Sequence, residues 1–370
     1  MTLLVLAQTP PPLHGQSLMV QTLVDNWARF AGPHRLLHVN LALSRDTADI
    51  GRLQWGKLGS LKAARSTALS ALRDAPGAVL YYVPAPGKLS AVVRDLLLLP
   101  ALRRTGVPLV LHWHAGGLAA WTRRFPILRP ALNRALGRAS LSIVPSSCVR
   151  LDADTFAPSA VAVIPNGIAD PFPSGQPPTG DKGPCRILFL GACTKEKGIL
   201  DLASAFSQWA TRKPGRYELL VAGAFDSART EAEFDLRIRP VSRSVRRLGV
   251  VKDDTKAAAL ASADVVCLPT HYPHEVQPLV AIEALAADKK VVATQWRGLP
   301  ELLAGTVHTL ADPSNIESLA AALEEVCRQA PPGGMNRQCF LSRFTLELHL
   351  KEMSAALVPL LESAAQASRR

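Results

Sequence analysis

The densest potential for chemistry lies between Val265 and Ala286, where an apolar run ends at Pro269 and a short polar loop leads to Pro278 and a helical pattern. Glu275 stands in the loop and Glu283 in the second turn of the helix. Proline suits a first helical position, and a helix start gathers free N–H groups and partial positive charge. Such a start favours an anionic ligand such as a diphosphate. A carboxylate further along the same helix would accept hydrogen bonds from a sugar or ribose diol. An isolated pair of glutamates would more simply be a surface residue followed by a helix residue, so the context has to decide.

Three other stretches carry polar groups at the ends of apolar runs. Pro10-Pro-Pro-Leu-His-Gly15 follows the first run and precedes a helical pattern from Ser17. A glycine there permits close backbone approach to a phosphate, though a plain turn fits equally. In Leu109-Val-Leu-His112-Trp-His114-Ala-Gly-Gly117, period-2 alternation puts His112 and His114 on one face. A hydrogen-bonded core histidine is the competing role, and a His-x-His metal site lacks a third ligand. Asp152-Ala-Asp154 spells a metal-binding tripeptide, but so short a pattern arises by chance.

The elements that must position these residues alternate regularly. Strands are predicted at 3–7, 36–40, 79–83, 108–114, 140–144 and 161–165, with helices between them, including 17–30 and 121–136. After a Pro- and Gly-rich stretch the alternation restarts, with strands at 186–190, 217–222, 265–269 and 290–294. Helices there are expected at 198–210, 255–261, 278–287 and 316–328. This rhythm predicts an α/β protein of two facing, doubly wound, Rossmann-like domains with a deep cleft between them, ligands lying at the carboxyl ends of the strands. The expected division is 1–169, a linker at 170–184, a second domain at 185–335 and a C-terminal helix in 336–370 that packs back on the first domain. A length of 370 residues suits two domains.

Charge is distributed unevenly. Residues 1–169 hold 18 Lys and Arg against 7 Asp and no Glu, a net +11, while residues 170–370 are nearly balanced. That asymmetry points to an anionic partner for the first half, either nucleic acid or the anionic leaflet of a membrane. Lys88, Arg94, Arg103 and Arg104 flank Leu96–Leu99, and Arg123, Arg124, Arg129, Arg134 and Arg138 stand among Trp121, Phe125, Ile127 and Leu128. Such a pattern suits an interfacial amphipathic helix, or a solvated helix face rich in arginine. No run is long and apolar enough to span a bilayer and no signal peptide is evident, so the chain is expected in the cytoplasm, peripheral on the inner face of the membrane. The six cysteines form no C-x-x-C pair and are read as reduced thiols.

The stretch around Glu275 and Glu283 resembles the signature of retaining glycosyltransferase family 4, whose two glutamates are separated by seven residues in a Pro-(Ser/Thr)…Glu…Pro-Leu…Glu-Ala frame. Where the family has Gly-Phe-Gly this chain has Val276-Gln277-Pro278, and Ala287-Asp288-Lys289-Lys290-Val291 replaces Ala-Gly-x-Pro-Val. Gly298-Leu-Pro-Glu301, Leu188-Phe-Leu-Gly191 with Lys197-Gly198, and Pro165-Asn-Gly167 also match. The resemblance implies the GT-B fold and transfer of a sugar from a nucleotide-diphosphate donor, UDP- or GDP-linked, to a glycan or lipid-linked glycan. Glu275, Lys197 and His114 would be catalytic, Lys197 neutralising the leaving diphosphate. Glu283, Gly15, Gly191, Lys195, Val276, Gln277, Pro278 and Leu279 would bind the donor. Lys195 is the candidate replacement for the family's arginine after the glycine, here Ala192. His14, Gln16, Gly116 and Gly117 would meet the acceptor, and no divalent metal would be obligatory. A nucleotide-sugar epimerase shares this architecture. A basic nucleic-acid-binding protein is the other class, but no zinc finger, RNA-recognition signature or helix-turn-helix accompanies the charge.

Overall fold

The computed structural model of the chain describes residues 1–41, 55–175 and 183–368. Two compact units emerge, Met1–Asn166 with Glu347–Arg370, and Gly167–Leu346. The first unit runs β1 (Thr2–Ala7), α1 (Gly15–Phe30), β2 (Arg35–Asn40), α2 (Trp55–Asp74), β3 (Val79–Tyr82), α3 (Leu89–Arg103), β4 (Leu109–His112), α4 (Leu118–Arg124), α5 (Arg129–Leu136), β5 (Leu141–Val144), α6 (Arg150–Asp154) and β6 (Val161–Val163). The second runs β7 (Cys185–Leu190), α7 (Ile199–Arg212), β8 (Tyr217–Ala222), α8 (Ala228–Ile238), β9 (Val245–Gly249), α9 (Asp253–Ser262), β10 (Val265–Leu268), α10 (Leu279–Ala286), β11 (Lys290–Thr294), α11 (Leu299–Leu303), β12 (His308–Ala311), α12 (Ile316–Arg328) and α13 (Met335–Arg343). A last helix, α14 (Leu346–Ser368), returns to the first unit.

Both sheets are parallel and six-stranded, in the orders β2-β1-β3-β4-β5-β6 and β12-β11-β10-β7-β8-β9. Successive strands step in opposite directions from the β1/β3 pair and from the β7/β10 pair. These are the switch points, where loops at the carboxyl ends diverge and leave a crevice. Central strands such as β3, β4 and β10 are buried at every residue, because helices cover both faces. Leu319, Ala322, Leu323 and Val326 form the apolar stripe that seats α12 on the second core. Each leucine-sized side chain so removed from water contributes ~1.5–3 kcal/mol before entropy is counted.

Residues 336–361, expected as one long helix, break at Phe344 into α13 and α14. On α14, Met353, Leu357, Leu361 and Ala364 join Leu3, Val5 and Leu23 in the core of the first unit. Part of the expected linker, 176–182, lies outside the described residues. Its start is anchored: the Arg337 guanidinium donates to both carboxylate oxygens of Asp170, to Phe172 O and to Ala286 O.

The expected helix over 121–136 does not form as one piece. Pro126 keeps Phe125 out of the helical region (φ −123°, ψ 66°), α4 stops at Arg124, and a 3-10 turn at Pro126–Leu128 precedes α5. Pro130 is tolerated because it falls in the first turn of α5. The continuous interfacial helix is therefore replaced by a corner. Trp121 faces inward, while Phe125 and Ile127 (87% exposed) project beside the exposed Arg123, Arg124 and Arg129. Arg94, counted among the flanking cations, is tied instead to the fully buried Asp95 at 2.8 Å. Asp95 also accepts from Tyr82 Oη and the Ala85 amide. Among the described residues no helix is long and apolar enough to cross a membrane.

Candidate active site

In the second unit the two loops that carry Lys197 and Glu275 leave adjacent strands, β7 and β10, at the switch point. They are fastened to each other. The His271 amide donates to Glu196 O at 2.9 Å, and Thr270 Oγ1 to the same oxygen at 3.4 Å. Lys197 Nζ donates to Glu275 Oε2, which also accepts from Thr270 Oγ1 at 3.2 Å. Lys197 further lies 5.3 Å from the centre of the Tyr272 ring. Glu275 is only 9% exposed, and a buried carboxylate requires this kind of pairing. The fold thus joins two residues 78 positions apart into one ion pair, with the lysine a third exposed.

Gly198 explains how Lys197 reaches this place. It caps α7 with φ +77°, and a Cβ added there would lie 2.1 Å from Pro269 O, so the α7 start can press against the end of β10 only as glycine. Gly198→Ala is expected to destabilise the protein by about 2 kcal/mol through overpacking and a strained positive φ, read as a lower urea midpoint. Gly191, at φ +142°, has nothing within 4 Å of an added Cβ. The space where a side chain would stand is open to a ligand, although the Gly191 amide donates to Ala222 O at 2.9 Å and Gly223 lies against the Gly191 carbonyl. Lys195 is exposed in the same loop.

Glu283 sits in α10, whose residues Ala281–Ala286 are all buried. It is the sole charge in that helix and is 9% exposed. Its counter-ion is Lys256 of α9, with Nζ 2.6 Å from Oε1. Nothing local in the sequence marks Lys256; only the packing of α9 against α10 reveals it. Pro278 holds an extended backbone as the cap of α10, while Val276 and Gln277 are buried. The Val276 side chain turns into the core, so any ligand contact of that segment falls to its backbone and to the first amides of α10 at Leu279.

The first unit gathers four histidines. β4 ends at His112, two residues earlier than expected, and the rings of His112 and His114 nevertheless lie 3.9 Å apart. His112 Nδ1 pairs with Tyr81 Oη at 2.5 Å, while the Nε2 atoms of both histidines are shut off from solvent and find no partner among the described residues. Burial, then the neighbouring His349 and His14, hold His114 down at about 3; burial, then His114 and His349, hold His112 well below its ordinary value. His349 Nδ1 is engaged by Pro165 O at 2.7 Å. His14 caps α1: its Nδ1 accepts from the Ser17 amide and Ser17 Oγ accepts from the His14 amide, so Gly15 and Gln16 form the first turn.

Both stacked histidines stay neutral in the fold but take a proton near 6.5 when unfolded. Stability is therefore full above pH ~6.5 and declines as pH falls from there toward the folded value. A lower melting temperature at pH 5 than at pH 7 is expected, with a smaller difference in His114→Asn, measured by thermal denaturation in matched buffers.

Two of the sequence candidates are occupied by structural duties. Gly117 caps α4 with φ +105°, its amide donates to Asp152 Oδ2 at 3.1 Å, and the Ala119 amide donates to Asp152 Oδ1 at 2.6 Å. Asp152 is thus a helix-capping residue, whereas Asp154 pairs with Arg150 at the surface. Gly116 lies buried beside this cap. Among the described residues no group of three His, Cys, Asp or Glu stands close enough to hold a metal ion.

Two parallel Rossmann-like units with polar loops at their switch points define the GT-B class of folds. Sucrose-phosphate synthase from Thermosynechococcus elongatus superposes with a TM-score of 0.75 at 16% identity, over 98% of this chain and all of that one. HepE of Anabaena, solved with UDP and glucose, gives 0.68 at 17% identity over 96% and 98%. Residues 184–329 match the family described as Glycosyl transferases group 1. A phosphatidyl-myo-inositol mannosyltransferase of Mycolicibacterium smegmatis is 32% identical over 233 residues, covering 60% of this chain and 57% of that protein. A glycogen synthase of Mycobacterium tuberculosis is 28% identical over 249 residues, covering 65% and 58%. The chain spans less than two thirds of the length of either relative.

Proposed function

We propose that the protein transfers a sugar, with retention at the anomeric carbon, from a UDP- or GDP-linked donor to a glycan or lipid-linked glycan. The observation that carries this reading is the Lys197–Glu275 pair, which bridges two loops at the switch point of a sheet lying within the group 1 match. Glu283 would accept the ribose hydroxyls through the oxygen that Lys256 leaves uncommitted. The open space beside Gly191 and the first amides of α10 would receive the diphosphate, with Lys195 at its edge. Lys197 would supply the positive charge that matters most as the phosphate leaves, while Glu275 fixes its ammonium and hydrogen-bonds the sugar. The unpartnered Nε2 of His114 offers one hydrogen bond to a hydroxyl near the reacting carbon. Gly15, His14 and Gln16 open α1 at the other unit's switch point, where the acceptor or the donor phosphate would meet the chain. The reading names no obligatory metal, and the departing phosphate itself takes the acceptor's proton.

The basic first unit would rest on the anionic cytoplasmic face of a membrane through the corner at Phe125 and Ile127. There, two exposed apolar side chains can enter the interface while Arg123, Arg124 and Arg129 meet lipid phosphates.

A thermal-shift screen against UDP-, GDP- and ADP-sugars tests the reading, because a ligand held only by the native state raises its melting temperature. One nucleotide class is expected to add several degrees at ~100 times its Kd, which corresponds to about 2.7 kcal/mol. Stabilisation by none of the three would remove the assignment, and release of an altered free sugar nucleotide without acceptor would favour an epimerase.

A further inference from the structure

The six thiols do not share one environment. Cys193 and Cys267 are buried, and burial pushes the Cys193 thiol up to about 12 and the Cys267 thiol higher still. Cys185 and Cys327 differ: they are half-buried, 142 residues apart in sequence, and their Sγ atoms lie 2.7 Å from each other. Each is held by well-packed structure. Cys185 opens β7 in register with Tyr217 of β8, whose ring stacks on Trp209 with centroids 3.6 Å apart. Cys327 sits in the last turn of α12, one residue beyond the core residue Val326.

We propose that Cys185 and Cys327 are a dithiol modification site, oxidised reversibly to an intramolecular disulfide by thiol–disulfide exchange with a low-molecular-weight disulfide. Covalent S–S distance is about 2.05 Å, so closure needs only a small adjustment of two side chains already in contact. The two thiols divide the work. The hydrogen bond from Cys327 lowers Cys185, with Lys290 adding to the effect against burial and Asp264, and the same bond raises Cys327. Cys185 is thus the attacking thiolate, and the proton stays with Cys327 until the second step. In the first step Cys185 sulfur bonds to one sulfur of the disulfide RSSR and expels RS⁻. Cys327, giving up its proton, then attacks the Cys185 sulfur and expels the second RS⁻. The products are one protein disulfide and two RSH, the two protons coming from the two protein thiols.

The bond would join the amino-terminal start of β7 to the end of α12, whereas Lys197 follows the carboxyl end of β7. It would close a long loop within one unit, so its effect falls on stability rather than on the site. A rise in melting temperature on the order of 5–10 °C is expected.

The experiment incubates the full chain with glutathione disulfide, removes the reagent, and compares intact mass, non-reducing peptide maps and thermal denaturation with the dithiothreitol-reduced protein. The proposal requires a loss of two mass units, a peptide linking Cys185 to Cys327, and a melting-temperature rise that dithiothreitol reverses. Cys185→Ser and Cys327→Ser should each abolish the rise. A stable mixed disulfide on Cys185 with no cross-link, linkage of either residue to another cysteine, or recovery of both thiols unoxidised would overturn it. The peptide map of the unaltered chain decides the matter even where a serine variant folds poorly.

Discussion

Lys197→Ala is expected to lower kcat for sugar transfer by ~10²–10³-fold, the loss seen when one preorganised donor to a developing anion is removed. The direction follows from when charge grows. In the proposed reaction, the intact nucleotide sugar would present Lys197 with a diphosphate already bonded to helix amides, and departure of that diphosphate would add negative charge near the ammonium. The side chain therefore acts mainly in the transition state, and KM should change by only a few-fold. Truncation also deprives Glu275 of its counter-ion in a 9% exposed position, where Thr270 Oγ1 still donates to it. The stranded charge costs stability in its own right. Lys197→Ala/Glu275→Gln removes that charge and should recover part of the stability but none of the turnover. Kinetics and urea denaturation on both variants separate the two effects. Wild-type turnover in Lys197→Ala would end the leaving-group role.

The central strands were legible in the sequence because helices cover both faces of each sheet. Short apolar runs such as those in Leu3–Ala7 and Val291–Ala293 fit interior strands, and each lies in one. The edges of the first sheet, β2 and β6, were also legible, but those of the second were not. Val245–Gly249 carries Arg246 and Arg247, both exposed, and His308–Ala311 is half-buried, so neither has the apolar signal of an interior strand. The helix over Ala228–Ile238 was missed for the same reason, since only Thr230, Phe234 and Ile238 turn inward. Proline was the other source of error. Pro126 divides the basic segment at 121–136, and the break changes an extended amphipathic helix into an exposed corner.

The candidate site was legible to the extent that its geometry is local. Glu275, Pro278 and Glu283 lie within nine residues, and a helix start next to a strand end is a short-range fact. Lys197 meets Glu275 only because parallel pairing sets β7 beside β10, and their bond is a tertiary result. Lys256 had no signal at all, because a lysine on an amphipathic helix reads as solvated until its neighbour proves to be a carboxylate in an apolar helix. Asp152, whose tripeptide was set aside as a chance pattern, caps α4.

That neighbour also makes the second large effect predictable. Glu283→Ala is expected to raise the donor KM by ~10–100-fold, since hydrogen bonds to a charged group are worth ~1.5–3 kcal/mol and 1.36 kcal/mol is tenfold. A ribose held by Glu283 would be remote from the bond that breaks, so its contacts would persist from ground state to transition state and kcat should hold within a few-fold. Lys256 controls how much of this is lost to stability instead. Its side chain is a third exposed, so after the substitution its ammonium can turn to water, and the variant should fold. In the native chain the Lys256–Glu283 bond engages Oε1, so that in the proposed role Oε2 would meet the ligand. Lys256→Met should then weaken the donor less than Glu283→Ala does, because the acceptor remains while its orientation loosens. Calorimetric titration of a nucleoside diphosphate, beside steady-state kinetics, measures both variants. A collapse of kcat in Glu283→Ala with the donor KM intact would move that carboxylate from the ribose to the reacting sugar.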